Sequence, residues 1–175
     1  MIQKSFDLIT VVMCVFIIYQ DFKSRRVSVY VLAGFILLSL LQLIPNYNQH
    51  IIRYTLVNFA LLSGIFILQT GLVSLKKKRF INPVNKTIGL FDLLFLVCLC
   101  CWFSPKNFLY FFIGSLVLAL FHVVYQRTFT TKKFIVIPLA AYICLFFLVC
   151  IGVKNIFQLS FYDDGFLRIL TRKII

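Results

Sequence analysis

Long apolar runs alternate with short polar interruptions along the chain, and most of the interruptions are basic. A helix crossing lipid hydrocarbon needs about 20 apolar residues. On that measure the runs predict six membrane helices, over 4–22, 27–45, 53–75, 87–104, 107–126 and 134–153. The first and fourth are apolar only over shorter cores, so crossing would draw their polar flanks inward, aspartates included. The connections are short, at 22–26, 45–52, 76–86, 104–106 and 127–133. Pro45 and Pro105 stand where helices should stop, and Pro83 breaks the third connection. No low-complexity segment or clear repeat is present. Lys4 ahead of an apolar run imitates a secretory signal, but no small-residue cleavage site follows, so the run reads as a retained first helix.

Composition sharpens this picture. Of 175 residues, 62% are hydrophobic, 21 are Phe and only 13% are charged. A soluble core of this length could not hide so much apolar surface, so the bilayer is the expected solvent. The fold class is all-α: a polytopic bundle of about six transmembrane helices over 1–153, with a tail at 154–175. Phe166, Leu167, Ile169, Leu170 and Ile174 in that tail are spaced for an amphipathic helix lying on the membrane surface.

The net charge of +13 raises nucleic acid as a partner. The basic residues punctuate membrane segments rather than paint one face, so they read as orientation signals and no nucleic-acid partner is expected. Eleven of them fall in the first, third and fifth connections: Lys23, Arg25, Arg26, Lys76, Lys77, Lys78, Arg79, Lys86, Arg127, Lys132 and Lys133. Only Arg53 and Lys106 stand against them in or beside the second and fourth. The odd connections are therefore expected in the cytoplasm and both termini outside, although Arg168, Arg172 and Lys173 in the tail pull the other way.

The six cysteines (Cys14, Cys98, Cys100, Cys101, Cys144 and Cys150) lie in apolar stretches without the two C-x-x-C pairs of a zinc site, and there are two His. They read as reduced, buried thiols, and neither a metal nor an organic cofactor is expected.

Attention then falls on the carboxylates. There is no Glu, and the five Asp are Asp7, Asp21, Asp92, Asp163 and Asp164. Asp7, near the outer end of the first helix, and the tail pair are expected to be solvated. Asp21 closes the first apolar run, while Asp92 lies six residues past Lys86, about 9 Å into the fourth helix. The first helix descends to the cytoplasm and the fourth rises from it. Two aspartates 71 positions apart are thus expected at one level of the membrane. Charge at such depth is costly and marks function, against the bland alternative that Asp21 pairs with Arg25 or Arg26. Two adjoining carboxyls share one proton, and such a pair can activate water against a peptide carbonyl.

At these residues the sequence resembles a family. Asp21-Phe22-Lys23-Ser24-Arg25-Arg26-Val27 is similar to the stretch after the first aspartate of type IV prepilin peptidases. Ile88-Gly89-Leu90-Phe91-Asp92 resembles their G-x-G-D motif, and Lys133-Phe134-Ile135-Val136-Ile137-Pro138-Leu139-Ala140 resembles the start of their last helix. The resemblance runs from the first helix to the sixth. It implies an intramembrane aspartic endopeptidase of the inner membrane, cutting leaders from prepilin or pilin-like precursors at the cytoplasmic face, in pilus assembly or secretion. Asp21 and Asp92 match the catalytic aspartates. Gly89 matches a motif glycine that lets backbone approach the active carboxyl. Phe91 stands where the family has its second glycine, Leu94 where many members have lysine, and Ser28 where a proline is usual. The cysteine-rich methyltransferase region of larger members has no counterpart here, so N-methylation is not expected.

Other residues carry paired readings. His122 either tunes the aspartates or bonds a neighbouring helix. Lys76–Lys78 and Arg79 recruit substrate or attract anionic lipid. Tyr19 and Gln20 orient the carboxyl or hold water, while Tyr19, Tyr30, Trp102 and Tyr125 suit interfacial anchoring. Pro138 starts or bends the sixth helix, or frees a backbone carbonyl in the cleft. Two further functions fit the same residues: an inactive relative serving as an assembly scaffold, and a proton-coupled transporter with inverted halves.

Overall fold

The apolar runs form six helices: α1 (Ile2–Ser24), α2 (Val29–Leu43), α3 (Gln49–Lys77), α4 (Leu90–Leu99), α5 (Pro105–Phe129) and α6 (Leu139–Phe157). The structure is a computed structural model describing residues 2–24, 27–43, 49–78, 89–129 and 138–163, with no strand among them. Four helices, α1, α3, α5 and α6, are long and apolar enough to cross a membrane, and α2 and α4 are shorter apolar helices.

Local chemistry sets the helix ends. The Ser28 carbonyl accepts the first amides of α2, from Val31 and Leu32. Pro105 begins α5, where a missing N–H costs nothing, and Phe108 donates to the Ser104 carbonyl at 2.8 Å. Lys76 and Lys77 close α3 at the negative end of its dipole. Gln158 ends α6 in the left-handed conformation (φ 52°), its N–H returning to the Lys154 carbonyl.

Two expected spans, 27–45 and 87–104, come out as the shorter helices α2 and α4; α4 stops at Leu99 and the chain turns within the bundle. The turn needs its carbonyls satisfied away from water. The Asn58 side-chain amide, fully buried on α3, donates to the Cys100 and Phe103 carbonyls at 3.0 and 2.8 Å. Backbone bonds spanning three residues, from the Cys101 N–H to the Cys98 carbonyl and from the Trp102 N–H to the Leu99 carbonyl, complete it. Trp102 is consequently no interfacial anchor. It is 1% exposed, and its indole N–H donates to Ser39 Oγ at 3.0 Å.

Around this turn lies an aromatic core. Phe147 of α6 is its hub, against Phe35, Trp102, Phe103, Phe111 and Phe161. The sixth helix, expected to end at 153, runs to Phe157, and Phe161 is buried against the bundle. Asn107 Nδ2 donates to the Phe161 and Asp163 carbonyls, and Tyr162 Oη to the Cys101 carbonyl, which fixes residues 158–163 on the bundle. The amphipathic pattern of 166–174, Pro45 and Pro83 lie outside the described residues.

The outer surface is apolar, with Ile67 70% and Leu68 65% exposed on α3, as befits a bundle whose solvent is lipid. α6 is the central element, packed against α1, α5 and α4, while α2 bridges α1 and α4. All six cysteines are free thiols, five of them buried and Cys101 half-buried.

Candidate active site

The N-terminus of α6 assembles the site. A helix begins with four amides that have no partner inside it. Pro138, the buried residue before the first turn, offers no side chain to cap them, and its carbonyl is taken by the Tyr142 N–H. Pro138 therefore starts the helix, and what it leaves for chemistry is a set of N–H donors rather than a freed carbonyl. The Ala141 N–H donates to Asp21 Oδ2 at 2.9 Å. The Asp92 carboxyl faces the N–H of Ala140, the preceding residue, and stands within electrostatic reach of Asp21.

Consecutive Cα atoms are about 3.8 Å apart, so a carboxyl bonded to one of these amides and a carboxyl facing the one before it are neighbours. Their negative charge lies at the positive end of the α6 dipole. The two aspartates singled out in the sequence are thus brought together, one from the last turn of α1 and one from α4, onto a third element.

Asp92 is not set about 9 Å into its helix as counting from Lys86 suggested. Gly89 holds an extended conformation (φ −64°, ψ 141°) and precedes α4, which puts Asp92 third in the first turn. From there its carboxyl folds back toward the Gly89 N–H, the carboxylate half of a capping box. The fit is close, since a Cβ on Gly89 would stand 3.0 Å from Asp92 Oδ2. Phe91 is half-buried, its ring stacked on Phe95 at 6.1 Å with an 11° interplanar angle.

Neighbours complete the surroundings. Gln20 Oε1 accepts the Ser28 N–H at 2.8 Å, so Gln20 fastens the α1–α2 connection beside Asp21. Tyr19 is exposed and its hydroxyl accepts from Lys23 Nζ. His122 packs its ring 5.2 Å from that of Tyr142, which also meets Phe22 edge-on at 5.8 Å. Arg25 and Arg26, the other partners weighed for Asp21, lie outside the described residues, as do Arg79, Lys86 and 133–137.

Sequence reading missed two features here. Cys14 of α1 and Cys144 of α6 are fully buried neighbours, and Cys144 lies within electrostatic reach of Cys14 and of both aspartates. Asp7, expected to be solvated, is 4% exposed, and Lys154 Nζ donates to its two oxygens at 2.7 and 2.9 Å. The available signal was spacing. Asp7, Thr10, Cys14, Ile17 and Asp21 follow the 3-4-3-4 rhythm of a helix seam, and all five are buried.

Among the described residues no group of three or more His, Cys, Asp or Glu could hold a metal ion. No protein-family profile, curated protein or solved structure matches the chain.

Proposed function

We propose that this chain is an intramembrane aspartic endopeptidase that removes the leader from prepilin or pilin-like precursors. The observation that carries the reading is the convergence of Asp21 and Asp92 on consecutive amides at the start of α6. Two adjoining carboxyls hold one proton between them. The ionised member takes a proton from water, whose oxygen attacks the scissile carbonyl. The protonated member gives its proton to the carbonyl oxygen. Collapse of the tetrahedral adduct then breaks the C–N bond, and a proton returns to the departing amine.

The resemblance of the Asp21, Gly89–Asp92 and Pro138 stretches to type IV prepilin peptidases supports the substrate class. Lys23, Lys76, Lys77 and Arg127 close α1, α3 and α5 at the end where Asp21 lies, which supports a cytoplasmic-facing site in the inner membrane. Carboxylates at helix ends, rather than at the midplane on interrupted helices, favour hydrolysis over transport.

Co-expression with a pilin-like precursor tests the proposal. Asp21→Asn and Asp92→Asn each abolish leader removal, and full cleavage by both variants sinks the reading.

Phe91 favours a second reading, an inactive relative serving as an assembly scaffold, because its ring stands where the resembled family has glycine. Phe91→Gly separates the two: cleavage gained only in that variant supports the scaffold.

A further inference from the structure

We propose that the buried Asp7–Lys154 ion pair is a register pin: it sets how far α1 slides along α6, and so whether Asp21 meets its amide at the opposite end of the helix pair. The importance of that meeting rests on the peptidase reading; the pinning itself does not.

Asp7 and Asp21 are separated by two heptads on α1, about 21 Å along the axis. Their partners, Lys154 and the Ala141 amide, are separated by about 20 Å on α6. The helices run antiparallel and are tied at both ends over matching lengths, so either tie is in place only when the other is.

What lies between fixes the register less sharply than the polar ends do. On α1 the seam is Thr10, Cys14 and Ile17, the Thr10 hydroxyl being turned back onto the Phe6 carbonyl. On α6 it is Ala140, Cys144, Phe147 and Ile151. Over lipid these side chains have no hydrophobic drive toward one another, so between the ends only their packing opposes a slip. The polar ends are different. A slip of one turn moves Nζ about 5.4 Å from the carboxylate and strands two buried ions.

A buried ion pair returns little net stability against its desolvation, and fixing a register is its best-attested use. Lys154 is held for that role from two sides: both Asp7 oxygens accept from Nζ, which lies 5.2 Å from the centre of the Phe161 ring. A lysine this near a helix end would otherwise extend toward the membrane surface.

The native Cys14–Cys144 contact reports the register without reference to activity. The experiment uses the full chain in membranes, with Cys98, Cys100, Cys101 and Cys150 changed to Ala and a protease site placed within 79–88. Copper-phenanthroline oxidation then joins α1 to α6, and after cutting the two pieces stay together on a non-reducing gel. A one-turn slip takes the two Cα atoms beyond disulfide reach. Asp7→Asn and Lys154→Met should each lose the cross-link, and cleavage should fall about 100-fold in kcat at unchanged KM, as expected for a misplaced catalytic group. The exchange Asp7→Lys with Lys154→Asp should restore both.

Should the single variants fail to fold, the uncharged pair Asp7→Asn with Lys154→Gln takes their place, and it too should lose the cross-link. Full cross-linking in the folded single variants or in that neutral pair overturns the proposal, whatever happens to cleavage. Cross-linking lost on a background that never cleaves a precursor upholds the pin and removes only the peptidase reading.

Discussion

The Asp21 carboxylate accepts the Ala141 backbone N–H at 2.9 Å across 120 positions of sequence, so one side chain serves α6 as a cap and the candidate dyad as a member. These two roles separate by substitution.

Asp21→Asn keeps an oxygen for the Ala141 amide and should fold as the parent does, with leader removal reduced about 10³-fold or more for want of acid–base chemistry. Asp21→Ala should be equally inactive but about 1.5–3 kcal/mol less stable, the worth of a hydrogen bond to a charged group. Thermal unfolding in detergent beside a cleavage assay reads both. Equal stability of the two variants would show that the carboxylate does not cap α6.

Gly89→Ala places a Cβ 3.0 Å from Asp92 Oδ2, so the carboxyl must shift by a few tenths of an ångström. Cleavage should fall at least about tenfold, chiefly in kcat, because misplacement of a reacting group acts on the chemical step. The change in folding stability should stay near ~1 kcal/mol, since Ala is only a poorer residue than Gly at that helix boundary. Parent-like kcat would mean that the close approach has no part in placing Asp92.

Asn58→Leu removes the amide that serves the Cys100 and Phe103 carbonyls. Two buried carbonyls without donors should cost about 2–4 kcal/mol. The loss should appear as a lower unfolding temperature in detergent. An unchanged melting point would mean that the turn after α4 is held by its backbone bonds alone.

Tyr162→Phe deletes the hydroxyl bonded to the Cys101 carbonyl and should cost about 1 kcal/mol. Burial, aided by the neighbouring Cys101, pushes the Tyr162 phenol up to about 12. A free tyrosine ionises near ~10, so in that window the folded chain holds a proton that the unfolded chain has lost. Stability from this group is complete below about pH 10 and drains away as the pH climbs toward 12. Unfolding followed from pH 9 upward should show a shallower decline in the variant; parallel curves would place the hydroxyl in water.

Much of the architecture was legible because lipid imposes its own lengths. A span must be long and apolar, which is how α1, α3, α5 and α6 declared themselves. The level shared by Asp21 and Asp92 followed from alternating helix direction. The third party to the site did not, because Ala140 and Ala141 carry no chemistry in their side chains and act only through backbone exposed by Pro138. Asp7 looked solvated because its partner stands 147 positions away. The short α4 was hidden by a continuous apolar run, since the amide that lets the chain turn sits on α3, 42 residues before Cys100. In each case the deciding contact is remote in sequence, and hydropathy reports only on neighbours.

That α6 is capped from α1 and not by its own first residue has a bearing on biogenesis. Helices enter a bilayer in order from the ribosome, and α6 is the last of the six. Until its opening turn arrives, the aspartates of α1 and α4 have no common seat, so a half-inserted chain carries them idle. On the proposed function, competence to act and completion of assembly would then coincide.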